Sequence, residues 1–254
     1  MILDLFKLDG KVALVTGAGQ GLGQGMALAL AEAGADIASL DRVGCEGTCE
    51  SVRALGRRYH ESVVDLREAS VDDLKAVVAR IVKELGRIDI LVNNAGTIRR
   101  TPAIDFSETD WDDVLQINLK AGFFLSQAVA RVMMSQGSGK IINIASMLSF
   151  QGGITVPSYT AAKSGLAGIT RALANEWAKH NINVNAIAPG YMATDNTAAL
   201  RADPNRSTSI LDRIPAARWG TPDDLKGAVV FLASSASDYM HGAIIPVDGG
   251  WLTR

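Results

Sequence analysis

The chain has 254 residues, 48% hydrophobic and 20% charged, which is enough to bury one large core and fits a single α/β domain better than two. Its 25 Lys and Arg nearly balance 27 Asp and Glu for a net charge of -2, with no basic stripe, which argues against nucleic acid or an anionic membrane as partner. Cys45 and Cys49 are the only cysteines and His60 is too isolated to complete a zinc site, so a reducing compartment and no metal are expected.

Asp4, Lys7 and Asp9 interrupt any apolar signal core at the start of the sequence. The longest uncharged stretch, 141–162, carries Asn143, Gln151, Gly152, Gly153 and Pro157, so no membrane helix is expected and the protein reads as soluble and cytoplasmic. Short β-branched runs then alternate with longer helical ones, the pattern of parallel strands joined by crossover helices. In chain order the pattern predicts a strand over 12–16, a helix over 22–33, a strand over 36–40, a helix over 46–55, a strand over 61–64 and a helix over 71–85. It continues with a strand over 88–92, one long helix over 108–135, a strand over 140–145, a helix over 158–180, a strand over 183–187, a helix over 223–233 and a strand over 243–247. Ser107 with Asp110 resembles a capping box, Thr221 precedes Pro222 as N-cap before Pro, and Gly34, Gly56 and Gly86 sit at helix ends. Residues 191–220 show no clear period and carry Pro204 and Pro215; they are expected to form a loop-rich lid on a single domain spanning 1–254.

The first predicted strand runs into Thr16-Gly17-Ala18-Gly19-Gln20-Gly21-Leu22-Gly23, a glycine-rich turn whose following helix presents amides to a pyrophosphate. Asp41 ends the second strand about 20 residues further on, where a carboxylate accepts from both ribose hydroxyls and repels a 2′-phosphate. That points to NAD, while Arg42 beside it could accommodate the phosphate and pulls the other way. Asp65 and Leu66, ending the third strand, suit an adenine contact; a helix cap is the equal alternative for Asp65. Asn93-Asn94-Ala95-Gly96 closes the fourth strand with small residues that admit a ligand, and Pro189-Gly190 follows the sixth strand with Met192 and Thr194 behind it. All of these fall at strand carboxyl ends, the edge where open parallel sheets bind ligands.

Tyr159 and Lys163 stand four apart, so a helix puts phenol and ammonium on one face. A free phenol has a pKa of about 10, and a nearby cation favours its ionised form, which makes the pair a candidate general acid/base. Ser146 could equally be a strand-end turn hydroxyl, and Asn118 a helix-interior amide bonded to backbone.

Taken together and in this order, the glycine loop, Asn93 to Gly96, Asn118, Ser146, Tyr159-x-x-x-Lys163 and Pro189-Gly190 closely resemble the short-chain dehydrogenase/reductase family over essentially the whole chain. The resemblance implies one doubly wound, Rossmann-type domain with a seven-stranded parallel sheet flanked by helices, assembled as a homotetramer, that moves a hydride between nicotinamide C4 and an alcohol or ketone carbon. It makes Tyr159 the general acid/base and Ser146 the contact to the reacting oxygen. Lys163 would bind the nicotinamide ribose and depress the phenol pKa, Asn118 would hold a water in a proton relay, and Pro189 through Thr194 would meet the carboxamide. Residues 94–100, 141–153, 175–194 and 248–252 are further similar to family members that act on small sugar acids, which implies an NAD-dependent sugar-acid dehydrogenase of uronate breakdown. A gluconate dehydrogenase or an acyl-carrier-protein reductase on the same fold is the alternative. A sugar carboxylate needs a charged donor; Arg99, Arg100, Arg206 and Arg213 are candidates, and Arg206 in the lid is the expected anchor, with Gln151 and Tyr191 shaping the pocket.

Overall fold

In the computed structural model, which describes residues 1–254, the aliphatic runs form β1 (Val12–Thr16), β2 (Asp36–Asp41), β3 (Tyr59–Val63), β4 (Ile90–Asn93), β5 (Gly139–Ile144), β6 (Ile182–Pro189) and β7 (Ile244–Val247). They make one seven-stranded sheet in the order β3-β2-β1-β4-β5-β6-β7, and every pair is parallel. β1, β4 and β6 are buried along their whole length, as strands covered on both faces must be, which is why they read as unbroken apolar runs instead of alternating ones.

The helices are α1 (Gly21–Glu32), α2 (Glu46–Ala54), α3 (Val71–Leu85), α4 (Glu108–Leu115), α5 (Ala121–Gln136), α6 (Pro157–Trp177), α7 (Ala198–Ala202), α8 (Pro204–Leu211) and α9 (Asp223–Ala233). One apolar cluster joins Leu14, Leu40 and Ile141 to Leu74, Ile81, Leu125 and Leu173; the other joins Val15, Ile90 and Ile142 to Met26, Leu30, Leu225 and Val229. α3, α5 and α6 therefore cover one face of the sheet, and α1 and α9 the other. Each fully buried Leu or Ile contributes about 1.5–3 kcal/mol. The sheet order reverses between β1 and β4, so the connections leaving those two strands part and open a crevice at their carboxyl ends.

The expected elements are present, with four differences. β3 runs from Tyr59 to Val63, starting earlier than its apolar residues suggested, because an edge strand follows its neighbour's ladder more than its own pattern. The single long helix expected over 108–135 is two helices joined by a π turn at Gln116–Lys120, where the Ala121 amide donates to the Gln116 carbonyl, five residues back. The 191–220 segment is not a bare loop: it holds α7 and α8, and Asp203 caps α8 by accepting from the Asn205 and Arg206 amides. A short 3-10 turn at Ile2–Phe6, unexpected from sequence, packs Phe6 near Phe231. No helix is long and apolar enough to cross a membrane.

Candidate active site

The crevice is a cleft of about 860 Å³ lined by residues from the ends of β1 through β6, within the size range of cofactor sites. At its nucleotide end the glycine loop is built by backbone geometry. Gly17 and Gly21 take φ of +66° and +57°, a region that side chains with a Cβ rarely enter. A Cβ on Gly23 would stand 1.9 Å from the Gly17 carbonyl oxygen and 2.4 Å from Asn94 Nδ2, so only glycine fits there. Asn94 Nδ2 donates to the Thr16 carbonyl at 2.9 Å and the Gly17 carbonyl at 3.2 Å, while the Asn94 and Ala95 amides both donate to Thr16 Oγ1. The loops after β1 and β4 are thereby locked to each other around the place a pyrophosphate would occupy. Asp41 accepts from the Gly19 amide at 2.9 Å and from the Arg42 amide at 2.7 Å, which holds its carboxylate against the glycine loop. Arg42, Asp65, Leu66 and Arg67 complete this end of the cleft.

The acid/base residues come together from three elements. α6 carries Tyr159 and Lys163 on one face, with the Lys163 ammonium 5.5 Å from the Tyr159 ring centre. Lys163 is buried and donates to the Ile144 carbonyl; burial pushes its pKa down from 10.5 to about 8. Ser146 follows β5 and lines the cleft beside Tyr159. Desolvation raises the Tyr159 phenol above its ordinary pKa, opposed by the Ser146 hydroxyl and by the Arg100 charge. Lys163 Nζ, 5.5 Å from the centre of the Tyr159 ring, has one donor bonded to the Ile144 carbonyl in this arrangement. Asn118 sits in the π turn, where its Nδ2 donates to the Val114 and Thr97 carbonyls and its buried Oδ1 has no partner. That oxygen would lie 2.6 Å from a Cβ on Gly96, so the glycine leaves the space in front of it open.

Of the residues singled out from sequence, Gly17, Gln20, Gly21, Leu22, Gly23, Asp41, Arg42, Asp65, Leu66, Ala95, Gly96, Arg99, Asn118, Ser146, Tyr159, Lys163, Pro189, Gly190, Met192 and Thr194 line the cleft, Arg99 with its guanidinium paired to Asp110 at 3.1 Å. Asn93 does not. Its amide points into the protein, donating to Ser126 Oγ and Asn143 Oδ1 at 2.8 Å each, and Asn143 in turn donates to Thr170 Oγ1 at 2.9 Å. This buried chain ties β4 and β5 to α5 and α6 and braces the elements that carry the acid/base set. Tyr191 lies behind the cleft wall, edge-on to Trp219 and Trp251. Arg206 is exposed on α8 and Gln151 accepts from Arg213 at 3.2 Å; neither lines the cleft. Arg100 is differently placed, reaching from the loop after β4 to the Asn196 carbonyl at 3.1 Å and bridging two rims of the crevice. Thr16 and Asn94 were read as parts of their motifs, but the hydrogen bonds that link them were not foreseen, because they join two strand ends distant in sequence.

Comparison with known proteins fits this geometry. The family model described as enoyl-(acyl carrier protein) reductase matches residues 17–252. The 2-dehydro-3-deoxy-D-gluconate 5-dehydrogenase of Escherichia coli (strain K12) is 65% identical over 255 residues, covering 100% of each chain. Among solved structures, an Agrobacterium tumefaciens protein provisionally named 2-deoxy-D-gluconate 3-dehydrogenase, with bound NADP, is 53% identical with a TM-score of 0.92, covering 99% of this chain and 100% of that one. A gluconate 5-dehydrogenase from Burkholderia cenocepacia J2315, in complex with NADP and tartrate, is 40% identical with a TM-score of 0.95, covering 100% of both.

Proposed function

The chain belongs to the short-chain dehydrogenase/reductase family, and from that premise we propose that it interconverts a secondary alcohol and a ketone on a small sugar acid, 2-dehydro-3-deoxy-D-gluconate or 2-deoxy-D-gluconate. The observation that carries this reading is the meeting of Ser146, Tyr159 and Lys163 in a cleft whose other end is a glycine-loop nucleotide site, with the exposed Arg100 reaching across its rim to Asn196. The names and contents of the relatives support it: sugar-acid dehydrogenases, two of them with NADP and one with tartrate, a hydroxy-dicarboxylic acid.

The cleft residues fit a nicotinamide dinucleotide, because a glycine loop at the end of β1 leads into the N-terminus of α1 at one end of the cleft and Asp41 stands beside it. When bound, that cofactor takes up or gives the hydride. The chain's own part is to bind, orient and move a proton. In oxidation Tyr159, as phenolate, takes the substrate hydroxyl proton while the carbon bearing that hydroxyl loses its hydride; in reduction the phenol gives the proton back. Ser146 donates to the reacting oxygen, Lys163 holds the nicotinamide ribose and Asn118 Oδ1 holds a water. Arg100, not Arg206, is the donor to the sugar carboxylate, since its charge acts on Tyr159 and its side chain crosses the mouth of the site. Residues 191–220 act as the lid over the substrate, and NAD stands ahead of NADP because the Asp41 carboxylate occupies the ribose corner. A homotetramer is the assembly the family resemblance supports.

The test is reduced-cofactor formation by the purified chain against a panel of aldonic and deoxy-aldonic acids, with NAD and with NADP. Tyr159→Phe should lower turnover at least about 100-fold with an unchanged melting profile. Preference for an acyl thioester over every sugar acid would overturn the substrate, preference for NADP would overturn the cofactor, and an active Tyr159→Phe would overturn the chemistry.

A further inference from the structure

A third apolar cluster, apart from the two that pack the sheet, joins Met147, Leu148 and Val156 to Ile210, Ile214 and Trp251, with Tyr159 and Tyr191 packed against it. It thus packs Trp251 and Leu252 behind the wall of the site, far in sequence from the residues that do the chemistry. The approach is close. Gly249 and Gly250 take φ of +64° and +89°, a Cβ on Gly249 would stand 2.9 Å from Ile214 Cγ2, and a Cβ on Gly250 would stand 3.0 Å from the Pro215 ring. The Ala216 amide donates to the Gly249 carbonyl at 3.0 Å, and Asp248 accepts from the Gly250 and Leu252 amides at 2.8 and 2.9 Å, which fixes the turn.

Two arginines work across this contact, and both spend their donors on carbonyls and an amide. Arg254 donates from Nη2 to the Asp212 carbonyl at 2.7 Å and from Nε to the Arg213 carbonyl at 3.2 Å, at the turn that ends α8. Arg213 lies with its guanidinium 4.0 Å from the centre of the Trp251 ring and donates to Gln151 Oε1 at 3.2 Å. The loop after Ser146, the end of α8 and the 248–254 segment are therefore joined through one guanidinium, whose own backbone is held by another. A planar fork suits both tasks, stacking on an aromatic face and gripping two carbonyls at once.

We propose that Arg254 is a positioning residue of the substrate end: by gripping the Asp212 and Arg213 carbonyls it fixes Arg213 between Trp251 and Gln151, and so holds α8 over the place where the sugar acid is enclosed. The proposal rests on residues 191–220 being the lid, and its first test needs no substrate. Amide exchange across 204–214 should quicken about tenfold in Arg254→Ala, with the strands of the sheet unchanged. In the assay, KM for the sugar acid should rise at least about fivefold, with kcat within twofold and NADH affinity, read by fluorescence titration, within twofold of wild type. Arg213→Ala should give the same KM rise, and the double variant no more than either single one, because the two residues act in series. Arg254→Lys, which keeps the charge and loses the fork, should recover only part of the effect. Wild-type exchange across 204–214 in Arg254→Ala would overturn the clasp, as would fully additive penalties or a parallel loss of NADH affinity. If no sugar acid is turned over while the exchange result stands, the clasp survives and the substrate reading falls.

Discussion

At the nucleotide end of the cleft the wall is shaped by backbone, set by glycines and by the Thr16–Asn94 link, whereas at the catalytic end it is lined by the side chains of Asn118, Ser146, Tyr159 and Lys163. The difference teaches where variation can be absorbed. A backbone site tolerates little at its tightest point, since a Cβ added at Gly23 collides with the Gly17 carbonyl, while a side-chain site can be altered one group at a time. Relatives with different named sugar acids share this fold throughout, which is what such a division would produce.

The sharpest way to break the comparison is Gly23→Ala. Its Cβ would fall 1.9 Å from a carbonyl oxygen that belongs to the loop itself, so nothing flexible can yield. Cofactor affinity should drop at least about 100-fold, or about 3 kcal/mol, by fluorescence titration, with the circular dichroism of the fold retained. Near-normal binding would show that the loop is softer than a backbone site should be. Next in size is Arg100→Met, which tests whether the substrate end can be altered alone. It should penalise a sugar acid by at least about 30-fold in kcat/KM, at the low end of what losing a charged partner costs, and spare both an uncharged analogue and cofactor affinity. Equal loss on acid and analogue would remove the carboxylate contact.

The smallest expected effect concerns Lys163, where the two ends meet. Its folded pKa is near 8 against 10.5 for the free group, so between those values the unfolded chain holds a proton that the folded chain does not, and stability from this group rises with pH through that window. Below about pH 8 the buried charge costs stability. Lys163→Met should thus be inactive yet more stable than wild type by about 1–3 kcal/mol at pH 7, after allowing for the lost bond to Ile144, and the gap should close between pH 8 and 10.5. Denaturant titrations at pH 7 and 10 decide it; a constant gap would mean that the lysine is not the titrating group.

Much of the fold was legible because the strands are buried on both faces and the turns are marked by glycine. The nucleotide end was legible for the same reason: backbone that needs glycine leaves its requirement in the sequence, at Gly17, Gly21 and Gly23. Asn93 was misplaced because successive residues at a strand end face opposite ways, so of the Asn93–Asn94 pair one turns into the core and one to the cleft, and the letters do not say which. Arg206 was misplaced for a related reason. Helix periodicity could not be seen in a segment as short and polar as α8, so which of its residues faced outward was hidden until Ile210 was found docked in the third cluster. The role of residues 248–254 was invisible because it depends wholly on contacts distant in sequence.

The π turn at Gln116–Lys120 places the Asn118 oxygen by adding one residue to what would otherwise be a continuous α-helix. What matters there is therefore a count, not a composition. Removing a single residue between 115 and 121 would let the helix close into regular α pitch with its flanking turns kept in register, and would take the Asn118 oxygen out of the place that the extra residue gives it. A library built from substitutions alone cannot sample that change. Insertion and deletion scanning would expose the turn as a counted feature of the site, and restoring one residue within it should restore the bulge that a lone deletion removes.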